Sequence, residues 1–108
     1  MFGKKTLEGE IDLGGASFLR GATEFARFWK VPGGEQTFVI DPRGIGADPA
    51  LFGMALVDAV RHGAKAYAQA VNIPEEDALA RIWEGFDAER ANPTDTPLQI
   101  DPETGGIA

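Results

Sequence analysis

Along residues 23 to 40 apolar and polar positions change places every second residue, and from residue 48 onward they recur at spacings of three and four. The first period is that of a strand and the second that of a helix, so the chain divides near Asp48 into an extended part and a helical part. Thr23 to Val31 and Gln36 to Ile40 are predicted as two strands joined through "PGGE", where Gly33 and Gly34 can take the positive φ of a tight turn. Counting outward from those glycines pairs Val31 with Gln36, Lys30 with Thr37, Trp29 with Phe38, Phe28 with Val39 and Arg27 with Ile40. One face then carries Phe25, Arg27, Trp29, Val31, Phe38 and Ile40, and reads as a core face. The other carries Ala26, Phe28, Lys30, Thr37 and Val39, which is half apolar. Neither face is plainly the wet one.

After "DPRGIGADPA" Asp48 is placed to cap a helix and Pro49 to be its first residue, because proline lacks an N–H that the first turn would leave unpaired. Phe52, Ala55, Leu56, Ala59, Val60, Gly63, Tyr67 and Val71 form its apolar stripe, with Asp58, Arg61, His62, Lys65 and Gln69 opposite. "VNIPEEDAL" closes this helix and opens a second, with Asn72 as the expected cap and Glu75 completing a capping box. Leu79, Ile82, Trp83 and Phe86 are the second stripe, and the short connection predicts an antiparallel helix pair. Trp29 and Phe86 are expected in one core with Leu56, Val60 and Ile82.

The predicted fold is α+β: an antiparallel β-hairpin packed against two antiparallel α-helices. Residues 22–92 make the single domain. Residues 1–21 are a weakly patterned segment in which "EGEIDLG", alternating Ile11 and Leu13 with acids, can add an edge strand to the hairpin. Residues 93–108, with three prolines and two glycines, read as a turn followed by a flexible tail.

"ARFW" in the first strand, "LVDAVRHGAKAYAQ" in the first helix and "ALARIWEGFDAERANPTDTP" at the end of the second carry a likeness. Over about residues 22–97 the chain resembles a small, mostly alphaproteobacterial family known as domain of unknown function 5076. Arg61-His62, Tyr67, the run Gly85 to Glu89 and the turn Pro93-Thr94-Asp95 are the matching parts. The resemblance implies one hairpin-and-two-helix unit; it implies no activity and no catalytic residues.

Composition narrows the chemistry. The chain has 108 residues, a net charge of −7 and no cysteine, which removes disulfides, thiol catalysis and cysteine-ligated metals and suits a reducing cytoplasm. No apolar run reaches the roughly 20 residues of a transmembrane helix. The opening segment lacks a signal peptide's apolar stretch, and Phe2, Lys4 and Lys5 are too little for a stable membrane anchor. The whole acid excess lies from Pro74 onward, where nine acids face only Arg81 and Arg90, a surface that repels phosphate backbones, so no nucleic-acid partner is expected.

His62 stands four residues after Asp58, a spacing that can orient an imidazole, but no nucleophile accompanies it. Arg27, on an apolar face, needs a carboxylate; Asp87, Glu89 and Asp95 are the candidates. Glu84, Asp87 and Glu89 lack the glycine and spacing of a calcium loop, and none of the glycine-containing loops has a phosphate-binding pattern. No catalytic residue, metal site or cofactor is assigned. Two readings from different classes remain. In one the chain is a homodimeric interaction module whose second copy covers Ala26, Phe28 and Val39. In the other, Arg27, His62 and Tyr67 line a small anion-accepting cleft of a binding protein or minor enzyme. Against the homodimer stands cover from within the chain, by residues 8–20 with Ile11, Leu13, Phe18 and Leu19.

Overall fold

A computed structural model describes residues 7–98; the expected tail beyond residue 98 and the Phe2-Lys4-Lys5 segment lie outside the described residues. The architecture is α+β, a two-stranded antiparallel sheet followed by two helices. The chain divides into two compact units, with the boundary between Phe52 and Gly53.

In the first unit β1 is Ala26–Lys30 and β2 is Gln36–Ile40. Ala26 pairs with Ile40, Arg27 with Val39, Phe28 with Phe38, Trp29 with Thr37 and Lys30 with Gln36. This register is one residue away from the expected one, and the turn explains it. The Val31 carbonyl accepts the Gly34 N–H at 3.0 Å, with Pro32 and Gly33 (φ 65°) at the two centres, the pattern of a type II turn. The tight turn therefore begins at Val31, Glu35 is left over as a fifth loop residue, and β1 ends at Lys30, one position short of the expected Val31, while β2 begins at Gln36 as expected. Because side chains alternate, the slip moves all of β2 to the other face of β1.

Residues 8–13 do not form the expected edge strand. Glu10 N–H returns to the Leu7 carbonyl at 3.1 Å, and the Asp12 carboxylate accepts Gly14 N–H at 2.9 Å, local bonds that bend the chain instead of extending it. A single 3₁₀ turn, Ser17–Leu19, follows. Beyond β2, Asp41 N–H donates to the Phe25 carbonyl at 2.8 Å, and the Asp41 carboxylate accepts Arg43 N–H to open a second 3₁₀ turn, Pro42–Gly44. Gly44 lies so close to the start of β1 that a methyl group there would stand 3.0 Å from Phe25 Cβ.

Helix α1 is Pro49–Val71 and α2 is Glu75–Ala91. Asp48 caps α1 as its sequence predicts, its carboxylate accepting Ala50 N–H at 3.0 Å. Asn72 plays a different part from the expected one. Its φ of 61° makes it the left-handed residue that ends α1, a conformation asparagine tolerates, and Pro74 precedes α2 without a side-chain cap. Glu75 accordingly reaches back to Lys65 at 3.2 Å rather than closing a capping box. Glu75, Glu76 and Asp77 crowd the first turn of α2, where the helix dipole favours negative charge.

The second unit's fully buried residues are small: Ala64 is 1% exposed and Ala78 3%. Ile82 Cδ1 lies 3.8 Å from where a Gly63 methyl would be, so the glycine lets an isoleucine of α2 approach the α1 backbone. Val60, Gly63 and Ala68 are half-buried, whereas Tyr67 and Val71, expected on this stripe, are exposed. At this helix seam the buried positions are alanines, and Gly63 is where the Ile82 side chain comes against α1. Trp83 and Phe86, one turn apart on α2, meet edge to face at 5.4 Å.

Candidate interaction surface

With the observed register, one hairpin face carries Ala26, Phe28, Phe38 and Ile40, with Lys30 and Gln36 at its turn end. Phe28 and Phe38 are directly opposite, their rings 5.0 Å apart and nearly perpendicular, the edge-to-face arrangement that the aromatic quadrupole prefers. Both rings remain open to water: Phe28 is 56% exposed, Phe38 49% and Ile40 45%. An open depression of about 230 Å³ lies along Phe28, Trp29, Lys30, Gln36 and Phe38. It is too shallow to enclose a ligand and is bounded mainly by aromatic surface. On the opposite face Arg27, Trp29 and Thr37 are half-buried, and Val39 is 57% exposed.

The set Ala26, Phe28 and Val39, expected together, is therefore divided. Ala26 and Phe28 share the open face, while Val39 stands with Arg27 and Trp29 on the other. Phe38 and Ile40 take its place, and the open face is more apolar than the sequence suggested. The signal that would have found them is Pro32-Gly33: these residues fit the two centres of a type II turn, which starts the count at Val31.

Arg27 finds its carboxylate locally. Its Nε donates to Glu24 Oε2 at 2.8 Å, and that bond raises the guanidinium's pKa further. Of the expected partners, Glu89 accepts the Thr94 N–H and hydroxyl, fixing the turn after α2. Glu84 pairs with Arg81. His62 and Tyr67 are both exposed on α1. Five helical positions separate them, which turns their side chains about 140° apart around the axis, so the two do not converge on one point. Among the described residues no three histidines, aspartates or glutamates gather as a metal set. No helix among them is long and apolar enough to cross a membrane.

These features define a class: an α+β chain in which one β-hairpin with an open aromatic face precedes two helices. The chain belongs to the family described as Domain of unknown function (DUF5076), whose model matches residues 16–94, from the buried Ala16 through the hairpin and both helices to Thr94. It is also similar to a solved structure from the photosynthetic bacterium Rhodopseudomonas palustrus, described as that of a "putative pyruvate dehydrogenase". The identity is 31% and the TM-score 0.62, with 94% of this chain and 98% of the other covered. No curated protein matches the chain.

Proposed function

We propose that this chain is a homodimeric interaction module, without catalysis of its own, and that the hairpin is its self-association surface. The observation that carries the reading is the open Phe28, Phe38 and Ile40 face on a sheet of only two strands. A two-stranded ribbon is marginal in water, and apolar side chains of this size each contribute about 1.5–3 kcal/mol when fully buried. Cover from within the unit has little support, because Ile11 at 79% and Phe18 at 77% exposure leave their own apolar surface in water. Pairing with a second copy, edge to edge or face to face, is the simplest remedy for so small a sheet, and twofold symmetry is its commonest arrangement. The absence of cysteine favours a cytoplasmic setting, and the acid excess after Pro74 disfavours nucleic acid.

Light scattering tests the reading. The expected mass is twice 11.5 kDa at micromolar concentration, falling to 11.5 kDa in Phe28→Glu. A mass of 11.5 kDa for the unaltered chain overturns it.

The description of the Rhodopseudomonas palustrus structure favours a second reading, in which a pyruvate-like anion is bound at Arg27. Such a ligand would compete with Glu24 for Arg27. Millimolar pyruvate should leave the amide resonances of residues 24–29 in place under the first reading; displaced peaks there would carry the second.

A further inference from the structure

We infer that the two copies join along β2, strand against strand about a twofold axis at Phe38, making one four-stranded antiparallel sheet in the order β1-β2-β2-β1. The inference rests on the homodimer reading and specifies how it is built. Its starting point is which backbone groups β2 leaves free. Asp41 N–H donates to the Phe25 carbonyl, and this pair continues the register Ala26 with Ile40. In an antiparallel ladder successive residues alternately turn both backbone groups toward the partner and away from it. Asp41, Val39 and Thr37 therefore face β1. Ile40, Phe38 and Gln36 project their N–H and C=O groups from the open edge, and among the described residues no hydrogen bond reaches them from that side.

That set is complementary to itself. A twofold axis perpendicular to the sheet pairs residues whose numbers sum to a constant even value, so an axis at Phe38 sets Phe38 against Phe38 of the second copy and Gln36 against its Ile40. All three outward residues of a five-residue strand are then in use, and each such pair exchanges two N–H···O bonds in a regular ladder. No other centre within β2 engages its whole length. The same three residues share the open apolar face with Ala26 and Phe28, so the Phe28–Phe38 contact at 5.0 Å becomes part of a row of four rings crossing the joined sheet.

Charge favours this edge over that of β1. Lysine, other charges and proline are what natural edges use against pairing. β1 carries Lys30 and the Arg27–Glu24 pair, whereas "QTFVI" has no charge and no proline. Within these five residues no like charges face each other; just past each end the register sets Glu35 opposite Asp41 of the second copy, whose carboxylate is already paired with Arg43. An extended segment of another protein could use the same edge, and the test separates that case.

Because the chain has no cysteine, any introduced thiol is unique. Mild oxidation should link Phe38→Cys into a covalent dimer, since residues directly opposite in such a ladder have Cα atoms within disulfide range. Thr37→Cys alone should stay unlinked, while a mixture of Thr37→Cys and Val39→Cys should link to each other. Gln36→Pro removes one outward donor and leaves the hairpin's own ladder intact, so its dimer dissociation constant should rise at least about tenfold over that of Gln36→Ala. A dimer by light scattering in which Phe28→Cys links and neither position 38 nor the 37/39 mixture does would overturn the β2 pairing while leaving the homodimer standing. A monomer, including one that captures a foreign strand at this edge, overturns both.

Discussion

The two units are held by different means. Every described residue with a positive φ except Asn72 belongs to the first unit, where the path of the chain depends on backbone conformation at positions such as Gly33 and Gly46. The second unit depends on small side chains at the helix seam, with Ala64 and Ala78 buried and Gly63 admitting Ile82. A helix satisfies its backbone internally and needs partners only for one stripe. A two-stranded ribbon leaves both outer edges unpaired, so unpaired backbone groups concentrate in the hairpin. Assembly is proposed there for that reason.

The comparison can be broken most sharply at the seam. Ala64→Leu should cost about 1–3 kcal/mol in urea melts, because the added carbons have no room, while Ala59→Leu, exposed on the same helix, should change stability by less than about 0.5 kcal/mol. Equal effects would mean that the seam is not tightly packed. In the first unit Gly46→Ala should cost about 1–2 kcal/mol, since φ is 133° and the new Cβ would lie 2.7 Å from Leu51 Cδ1. An unchanged melt would show that this loop is not held by its backbone conformation.

Where the extended part gives way to α1, Asp48→Ala should cost about 1 kcal/mol and Asp48→Asn only a few tenths, because asparagine keeps the oxygen that receives Ala50 N–H. The smallest effect is electrostatic. Hydrogen bonds from Arg43 hold the Asp41 carboxyl below its ordinary value of 3.8. A lowered carboxylate pKa stabilises the fold above the unfolded value, and that contribution is lost as pH falls through the lowered one. Asp41→Asn should therefore remove a shallow acid limb below pH 3.8 from the stability profile and leave neutral stability nearly unchanged, as befits an exposed pair. A large loss at neutral pH would place Asp41 among the first unit's structural supports.

The elements themselves were legible along the chain, because local causes produce them. Alternation marked β1 and β2, a three-and-four spacing marked α1 and α2, and Asp48-Pro49 marked where α1 begins. The site was legible only in part. Phe28 could be placed on an open face from its alternation phase, but Phe38, Ile40 and Val39 exchanged faces when the turn began at Val31 instead of Pro32. Tyr67 and Val71 fit the apolar stripe of α1 by spacing, yet both are exposed while Ala64 is buried and Gly63 receives the Ile82 side chain. Arg27 announced its need for a carboxylate without announcing that Glu24, three residues earlier, would meet it.

What the sequence determined by itself is thus the local order: two strands, a proline-glycine turn, a capped helix, a second helix, and an acid excess confined to the final third. Those follow from intrinsic backbone preferences and from periodicity, which act over a few residues. Register and ion-pair choice, although their partners lie close in sequence, and the buried positions of the helices were seen only in the tertiary structure. Each is a competition between near-equal alternatives one residue or one turn apart, and the winner depends on whether a fifth residue fits in a loop, whether a methyl group fits between helices, and which carboxylate stands within 3 Å of a guanidinium.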